Sequence, residues 1–470
     1  MTRISKLAVT LLATIVVSAA TYAHGQYSVL YSFGASGSVD AAGPFGAIAQ
    51  GEDGSLYSTG EIGGANNRGG VYKITTAGKE KLLYSFCSLA NCADGNGPVG
   101  GLTLRPDGHF IGATTDNAAA VGEGFGTIFD VSPTGSLTTL YSFTGGADGA
   151  NPDPAPILGP DGEFYGVAHF GGANSSCGTV YRLGSIFQVL HTFNGLNSCE
   201  PYYGLTLGMD ASFYGAALGG TEDGAAFKLT FRPSQSTLFT VLANLDSTPQ
   251  GALVEGNDGN FYGITQVTIF KLTPSGVVTI LHTFNVTSDG ASPNSGLTLA
   301  SDGNFYGTTE QAGAHGQGTL FQITPGGSFS VLYNFGSVAN DGYNAANLVQ
   351  HTNGLLYGIT QSGGARTGGS YNCGYEISSG CGVVFSWDGG MPAFVRTVQL
   401  MGAVGSTVEI LGQGFTSTST VSFNGVAATA TIQSGTSLFA TVPTGATTGS
   451  ITVTTSSGTL TSNRPFVVVP

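Results

Sequence analysis

Seven copies of one aromatic pattern follow one another from about residue 28 to about 390, and this recurrence constrains the fold more than any other feature. Four short elements return in fixed order. The first is a small apolar run, as in Gly101-Leu102-Thr103-Leu104, Gly204 to Leu207 and Gly296 to Leu299. The second is a pair of bulky residues after a tight turn: Leu56-Tyr57, Phe110-Ile111, Phe164-Tyr165, Phe213-Tyr214, Phe261-Tyr262, Phe305-Tyr306 and Leu356-Tyr357. The third is aliphatic then aromatic, from Val71-Tyr72 to Val384-Phe385, and the fourth is a Leu-Tyr-Ser-Phe type centred on Tyr31, Tyr84, Tyr141, His191, Ala243, His282 and Tyr333. Counted on the fourth element from Leu30, the spacings are 53, 57, 50, 52, 39 and 51 residues. Four short strands per repeat of roughly 50 residues, punctuated by glycine and aromatics, predict a β-propeller blade.

Strand geometry sharpens this expectation. Neighbouring side chains on a strand point to opposite faces, so each bulky pair sends one side chain into each adjacent blade. Asp53-Gly54, Asp107-Gly108, Asp161-Gly162, Asp258-Gly259, Asp302-Gly303 and Asn353-Gly354 read as type I′ hairpin turns. The third strand of repeat seven, Val383 to Trp387, lacks a fourth-strand partner after it, while Tyr27 to Phe33 carries the fourth-strand pattern with none before it. The N-terminal strand is therefore expected to complete the last blade and leave no open edge. The fold class is all-β: a seven-bladed β-propeller over 24–391, then a small β-sandwich over 392–470. The second unit is read from Ser/Thr/Val-rich strand-like runs between Phe394 and Val469, separated by glycine turns.

Compartment follows from the chain's start and its cysteines. Arg3 and Lys6 precede 14 uncharged residues, Leu7 to Ala20, and small residues at Thr21 and Ala23 suit cleavage after Ala23. Residues 1–23 read as a signal peptide, so the mature protein is expected outside the cytoplasm, secreted or at the cell surface, with no membrane span after cleavage and as a monomer. The six cysteines suit an oxidising compartment, with pairings Cys87–Cys92, Cys177–Cys199 and Cys373–Cys381 suggested by spacing. Zinc is the competing reading, without a Cys-x-x-Cys pair to support it. A net charge of −14, with only 9% charged residues, argues against nucleic acid.

The repeat motifs, among them Asp302-Gly-Asn-Phe-Tyr-Gly-Thr-Thr309 and Gly318-Thr-Leu-Phe321, resemble the GloVer tandem repeat of choice-of-anchor proteins over about 28–390. That resemblance implies an exported bacterial protein of unassigned activity. The stretch Gly402 to Phe415, followed by Val421-Ser-Phe-Asn-Gly-Val-Ala-Ala428, resembles an IPT/TIG immunoglobulin-like domain. Many relatives of the repeat end in a sorting anchor, whereas this chain ends in the TIG-like segment.

Alternation also sorts the loops. Short turns join first to second and third to fourth strands at one end of each blade; long loops, with all six cysteines, gather at the other, where binding residues usually sit. On that long-loop face Asp40, Asp94, Asp148 and Asp289 each stand four residues before a proline, and Asp341 stands before Ala345. They form either a ring for Ca²⁺ or a cationic ligand, or a set of Asx-type loop fasteners. No cofactor is otherwise implied. A second set breaks the symmetry at the end of the second strand: Glu61, Thr115, His169, Leu218, Gln266, Glu310 and Gln361. Glu61 and Glu310, with His169, are the candidate catalytic residues of a polysaccharide-acting enzyme, since glycosidases use two carboxyl groups. Tyr202, Tyr203, Phe125, Phe170, Tyr343 and Tyr371 lie in the same family of loops and offer rings for a sugar to stack on. No P-loop, Rossmann glycine motif or His-Glu-x-x-His occurs. The reading is a non-enzymatic exported binding or interaction module for a glycan, a cation or a surface protein; a glycoside hydrolase or lyase is the alternative, and a purely structural surface component the third.

Overall fold

The computed structural model of the protein describes residues 25–34, 40–118, 124–173, 177–195, 198–219, 223–230, 237–365 and 380–469. The expected signal peptide, Cys373 and Tyr371 lie outside them. Among the described residues strands dominate, and the one helical element is a single 3₁₀ turn, Ala90–Cys92. No helix among them is long and apolar enough to cross a membrane.

Among the described residues before 390 the strands form seven antiparallel sheets, each taken from one stretch of chain except the last in sequence. The second is typical, with Leu102–Leu104, Phe110–Thr114, Thr127–Val131 and Leu137–Ser142 side by side in chain order. In the first and sixth sheets two short segments, such as Ala291–Pro293 and Thr298–Leu299, share the first-strand position. The last sheet contains Gly342–Gln350, Leu356–Gly363 and Val383–Asp388, and its outer strand is Gln26–Ser32, paired with Val383–Asp388 from Gln26 opposite Asp388 to Ser32 opposite Val383.

Apolar clusters join consecutive sheets, and one containing Tyr357, Ile359, Leu56 and Ile74 joins the last sheet to the first. The second-strand pairs supply the contacts between sheets. Tyr57 stacks on Phe110 at 4.3 Å between centroids, Tyr165 on Phe213 at 4.2 Å, Tyr214 on Phe261 at 3.8 Å, and Tyr262 meets Phe305 at 4.1 Å. Fourth strands make an outer set of contacts, in which His191 on Phe239 (3.6 Å) and His282 on Phe329 (3.9 Å) occupy the place that Tyr141 takes on Phe187. Burial drives the His191 pKa down to about 4, as a neutral packing ring requires.

The short turns depart from the type I′ expectation. Type I′ needs positive φ at both central residues. Here only the glycines adopt it, Gly54 at +71° and Gly303 at +81°, while the aspartates do not. The aspartate side chain explains the choice. Asp302 Oδ1 accepts from Asn304 N–H at 3.0 Å and its Oδ2 from the Tyr306 hydroxyl at 2.8 Å, an Asx-type arrangement that holds the aspartate on the ordinary side of φ.

Beyond residue 394, one sheet contains Arg396–Thr397, Thr407–Leu411, Ser437–Thr441 and Ala430–Ile432, and another Val426–Ala428, Thr420–Phe423, Ile451–Thr455 and Gly458–Thr461. Met401–Ala403 pairs in parallel with Val467–Val469. Both four-stranded sheets face one buried core that includes Ile410, Phe423, Leu438 and Ile451.

Candidate functional site

The C-terminal sheets sit against the short-turn end of the seven-sheet unit. Thr436 Oγ1 donates to the Glu52 carbonyl at 2.6 Å, Gln413 Nε2 to Thr352 Oγ1 at 2.9 Å, and Arg464 Nη2 to Glu255 Oε2 at 2.6 Å. Glu52 and Thr352 belong to first-to-second-strand turns of two repeats, and Glu255 ends the first strand Val254–Glu255 of a third. Leu411 and Met401 continue apolar clusters that belong to the repeats. A cavity of about 520 Å³ is lined by the repeats' first strands and the residues leading into them, such as Ala47, Leu205, Leu253, Leu297 and Leu348, together with Val398, Leu400 and Arg464 from the C-terminal segment. Asp153, Tyr202, Tyr203 and Asn294 line it as well. These four lie in the loops that lead into first strands, at the long-loop end.

Around that opening the symmetry of the repeats is broken by charge. His169 places Nδ1 3.3 Å from Asp153 Oδ2 and Nε2 3.6 Å from Glu200 Oε2, so one imidazole stands between two carboxyl groups from different loops. Its ring stacks on Phe170 at 3.9 Å and meets the edge of Tyr202 at 4.9 Å. Burial raises the Asp153 pKa, with His169 opposing. Burial and the Asp153 carboxyl raise that of Glu61. Burial, Asp153 and Glu61 push the Tyr202 hydroxyl up to about 12. Glu61, Asp153, His169 and Tyr202 therefore form one electrostatic neighbourhood.

Glu310 stands in another. Asn294 Nδ2 donates to Glu310 Oε1 at 2.5 Å, and burial raises the Glu310 pKa against that hydrogen bond. Its carboxyl acts on Tyr203, whose hydroxyl donates to Gln250 Oε1 at 3.3 Å. Gln361 Nε2 is buried with no hydrogen-bond partner. Asp153, Glu200 and Asn294 were not singled out by sequence reasoning. A signal for two of them exists: the residue after the loop proline reads Phe45, Val99, Asp153, Tyr202, Gln250 and Asn294 in successive repeats, a variable position on a regular frame.

The five loop aspartates share one hydrogen-bonding scheme. Oδ2 of Asp40, Asp94, Asp148 and Asp341 accepts from Tyr31, Tyr84, Tyr141 and Tyr333 of its own repeat at 2.7–3.0 Å, and His282 Nε2 lies 2.9 Å from Asp289 Oδ2. The same oxygens accept loop N–H groups, from Gly34, Ser88, Thr144, Gly336 and Asn285. Asp94 is fully buried. Each carboxylate ties its fourth strand to the loop that follows. Among the described residues no group of three or more His, Cys, Asp or Glu side chains is arranged to hold a metal ion. Disulfides Cys87–Cys92 and Cys177–Cys199 are formed in these loops; Cys381 is disulfide-bonded too, and its expected partner Cys373 lies outside the described residues.

Comparison with known proteins gives this repeat frame a family. The model of the Gloeobacter/Verrucomicrobia repeat matches residues 87–267 and 265–463. The chain belongs to this repeat family. The second match runs past the last sheet into the C-terminal strands, so the Gloeobacter/Verrucomicrobia repeat model spans both parts of the described fold. No curated protein matches the chain. Among solved structures, one described as a streptogramin B lyase is similar at 14% identity and a TM-score of 0.52, over 78% of this chain and 98% of that one. Another, described as puromycin hydrolase, has 12% identity and a TM-score of 0.47, over 83% of this chain and 62% of that one. The first likeness bears on fold alone, and its architecture is β-propeller-like.

Proposed function

We propose that this member of the repeat family is an exported, non-enzymatic binding module: a seven-bladed β-propeller whose long-loop face receives the ligand and whose C-terminal immunoglobulin-like unit closes the opposite end. One observation carries the reading. Val398, Leu400 and Arg464 line one end of the central cavity, while Asp153, Tyr202, Tyr203 and Asn294 line the other. Access is thereby directed to the long-loop face, where the repeats cease to be equivalent. Binding sites on rigid scaffolds favour such loops. The leader read from the sequence and the disulfides support a location outside the cytoplasm, in reach of glycans, cations and surface proteins.

The test is hydrogen exchange on the full chain with a ligand found by thermal-shift screening of glycans, cations and peptides. Protection of peptides covering residues 61–69 and 144–153 is the expected result. Protection confined to residues 394–469 overturns the reading, and a complete screen without a ligand moves it to the structural alternative.

The second reading, a glycoside hydrolase or lyase, is favoured by a specific observation: burial raises the pKa of both Glu61 and Glu310, the direction a general acid needs. Release of reducing sugar that vanishes in Glu61→Gln and Glu310→Gln would establish it.

A further inference from the structure

Beside the central opening lies a second cavity, a cleft of about 560 Å³ between the long loops of the first three sheets. Its size falls within the roughly 300–1,000 Å³ of small-molecule sites. We infer that this cleft binds a neutral oligosaccharide, its rings against Phe125 and Phe170 and its hydroxyls on the amides of Asn67, Asn96 and Asn151. The inference rests on the proposal that the long-loop face receives the ligand, and it names the ligand class and the place.

Phe125 and Phe170 are 42% and 41% exposed, in a molecule whose other aromatic rings are mainly packed between sheets. Both line this one cleft. Each is fixed from behind, Phe170 by its stack on His169 and Phe125 by its place over Gly145, where a Cβ would lie 2.4 Å from the ring. A ring held on one face and open elsewhere is a rigid apolar platform suited to the C–H face of a sugar.

The polar lining concerns hydrogen bonds already in use. Asn67 Oδ1 accepts from Gly63 N–H at 3.2 Å, Asn151 Nδ2 donates to the Thr115 carbonyl at 3.0 Å, and Asn96 Nδ2 donates to the Ala118 carbonyl at 3.4 Å. Each amide thus spends one polar atom on a backbone group, Asn67 within its own loop and Asn96 and Asn151 across to a neighbouring loop, and its second polar atom has no protein partner among the described residues. Asn67 and Asn151 also adopt φ of +53°, and Asn96 is only 5% exposed while lining the cleft. These are pre-positioned donors and acceptors, and hydroxyl groups both donate and accept.

Charge decides between ligand classes. Arg68 lines the cleft against a strongly cationic ligand, and Glu61 with Asp116 lines it against an anionic one. A chain of uncharged hydroxyls meets neither objection. The same mixture of amides, opposite charges and two rings gives little to a purely apolar molecule.

Calorimetric titration of the full chain with neutral hexasaccharides of glucose, xylose, mannose and galactose, with oligogalacturonate and spermidine as charged comparators, tests this. The expected result is binding of at least one neutral hexasaccharide, weakened tenfold or more in Phe170→Ala and in Asn67→Ala and changed less than threefold in Lys81→Ala, an exposed fourth-strand residue that lines neither cavity. Asn67 is exposed, so its variant keeps the test decisive should Phe170→Ala fold poorly. Binding of only a charged comparator, or of no oligosaccharide, overturns the ligand class. Neutral binding lost in Tyr203→Ala, which alters the central cavity, and kept in Phe170→Ala and Asn67→Ala overturns the cleft but leaves the long-loop face as the receiving surface. Neutral binding with protection confined to residues 394–469 overturns both.

Discussion

A second-strand glycine lies opposite the third-strand aromatic in six of the seven sheets, as in Gly112 and Phe129, Gly263 and Phe270, and Gly307 and Phe321. The ring folds over the glycine so closely that a Cβ on Gly307 would lie 2.4 Å from Phe321 Cζ. Phe321 is fully buried, so it has nowhere to retreat. Gly307→Ala is therefore expected to destabilise by about 2–3 kcal/mol through overpacking. Gly303→Ala meets no atom within 4 Å and bears only the strain of its +81° φ, about 1 kcal/mol. Thermal melts should rank the two variants in that order, and the reverse order would remove the packing explanation. The loop aspartates allow a second prediction at this scale. Asp94→Ala leaves the Tyr84 hydroxyl and the Ser88 and Leu89 N–H groups without their acceptor and should cost about 2–4 kcal/mol. Because those oxygens are already engaged, millimolar Ca²⁺ should leave the melting temperature unchanged; a rise of several degrees that is lost in Asp94→Ala would return the aspartates to a metal-binding role. The recurrence of these aspartates was legible in the sequence, and so were two readings of them. Asp153 was not legible, because its meaning depends on His169 and Glu61, which reach it from other strands.

Strand pairing at the junction of the two chain ends shows what can be read at the scale of elements. An unpartnered fourth-strand pattern at the N-terminus and a missing fourth strand at repeat seven together call for the pairing found between Gln26–Ser32 and Val383–Asp388. Tyr27 fastens that strand, stacking on Tyr333 at 4.2 Å and touching Phe335 and Phe385. Tyr27→Ala should cost about 2–4 kcal/mol, the range for losing a large packed side chain, and should expose the strand to limited proteolysis near residue 33 before the rest of the molecule is cut. Cleavage first in the C-terminal unit would show that this junction is not the weakest seam. Turn type was less legible than pairing. An Asp-Gly dipeptide serves type I′ through two positive φ values, or a type I turn through one; a side-chain bond such as that from Asn304 N–H to Asp302 selects the second.

The union of the two parts follows from residues with no local pattern to announce them, and it makes stability depend on pH. Glu409 is fully buried on strand Thr407–Leu411, where Ser437 Oγ donates to its Oε1 at 3.1 Å and its Oε2 has no hydrogen-bond partner. Burial and the carboxyl of Glu52, which comes from a short turn of the first repeat, push its pKa up to about 8, against Ser437 and the buried guanidinium of Arg396. The folded molecule therefore keeps a proton that the unfolded chain releases near the ordinary glutamate value. The resulting stability is full below that value and is lost as pH rises through about 8. His351, which faces the same seam with Nε2 3.0 Å from the Gly54 carbonyl, works in the opposite sense. Burial holds its pKa down to about 4, so its contribution is present above the ordinary histidine value and lost as pH falls through 4. Glu80, raised by burial and Asp40 to about 7, adds a loss of its own with rising pH from within the repeats. Between pH 6.5 and 8.5 subtraction of a Glu409→Gln variant removes the parts due to Glu80 and to His351. The melting temperature of the wild-type chain should fall across that interval by several degrees more than that of Glu409→Gln, and cleavage between residues 388 and 394 should accelerate in parallel, because loosening this seam uncovers the connecting segment. Equal falls in the two proteins would place the titration elsewhere. A fall in melting temperature without faster cleavage would show that the C-terminal unit stays docked and that Glu409 acts within its own core. In the expected case, the proton held on Glu409 beside the Glu52 carboxyl helps keep the short-turn end of the central cavity closed, leaving the long-loop end as its entrance.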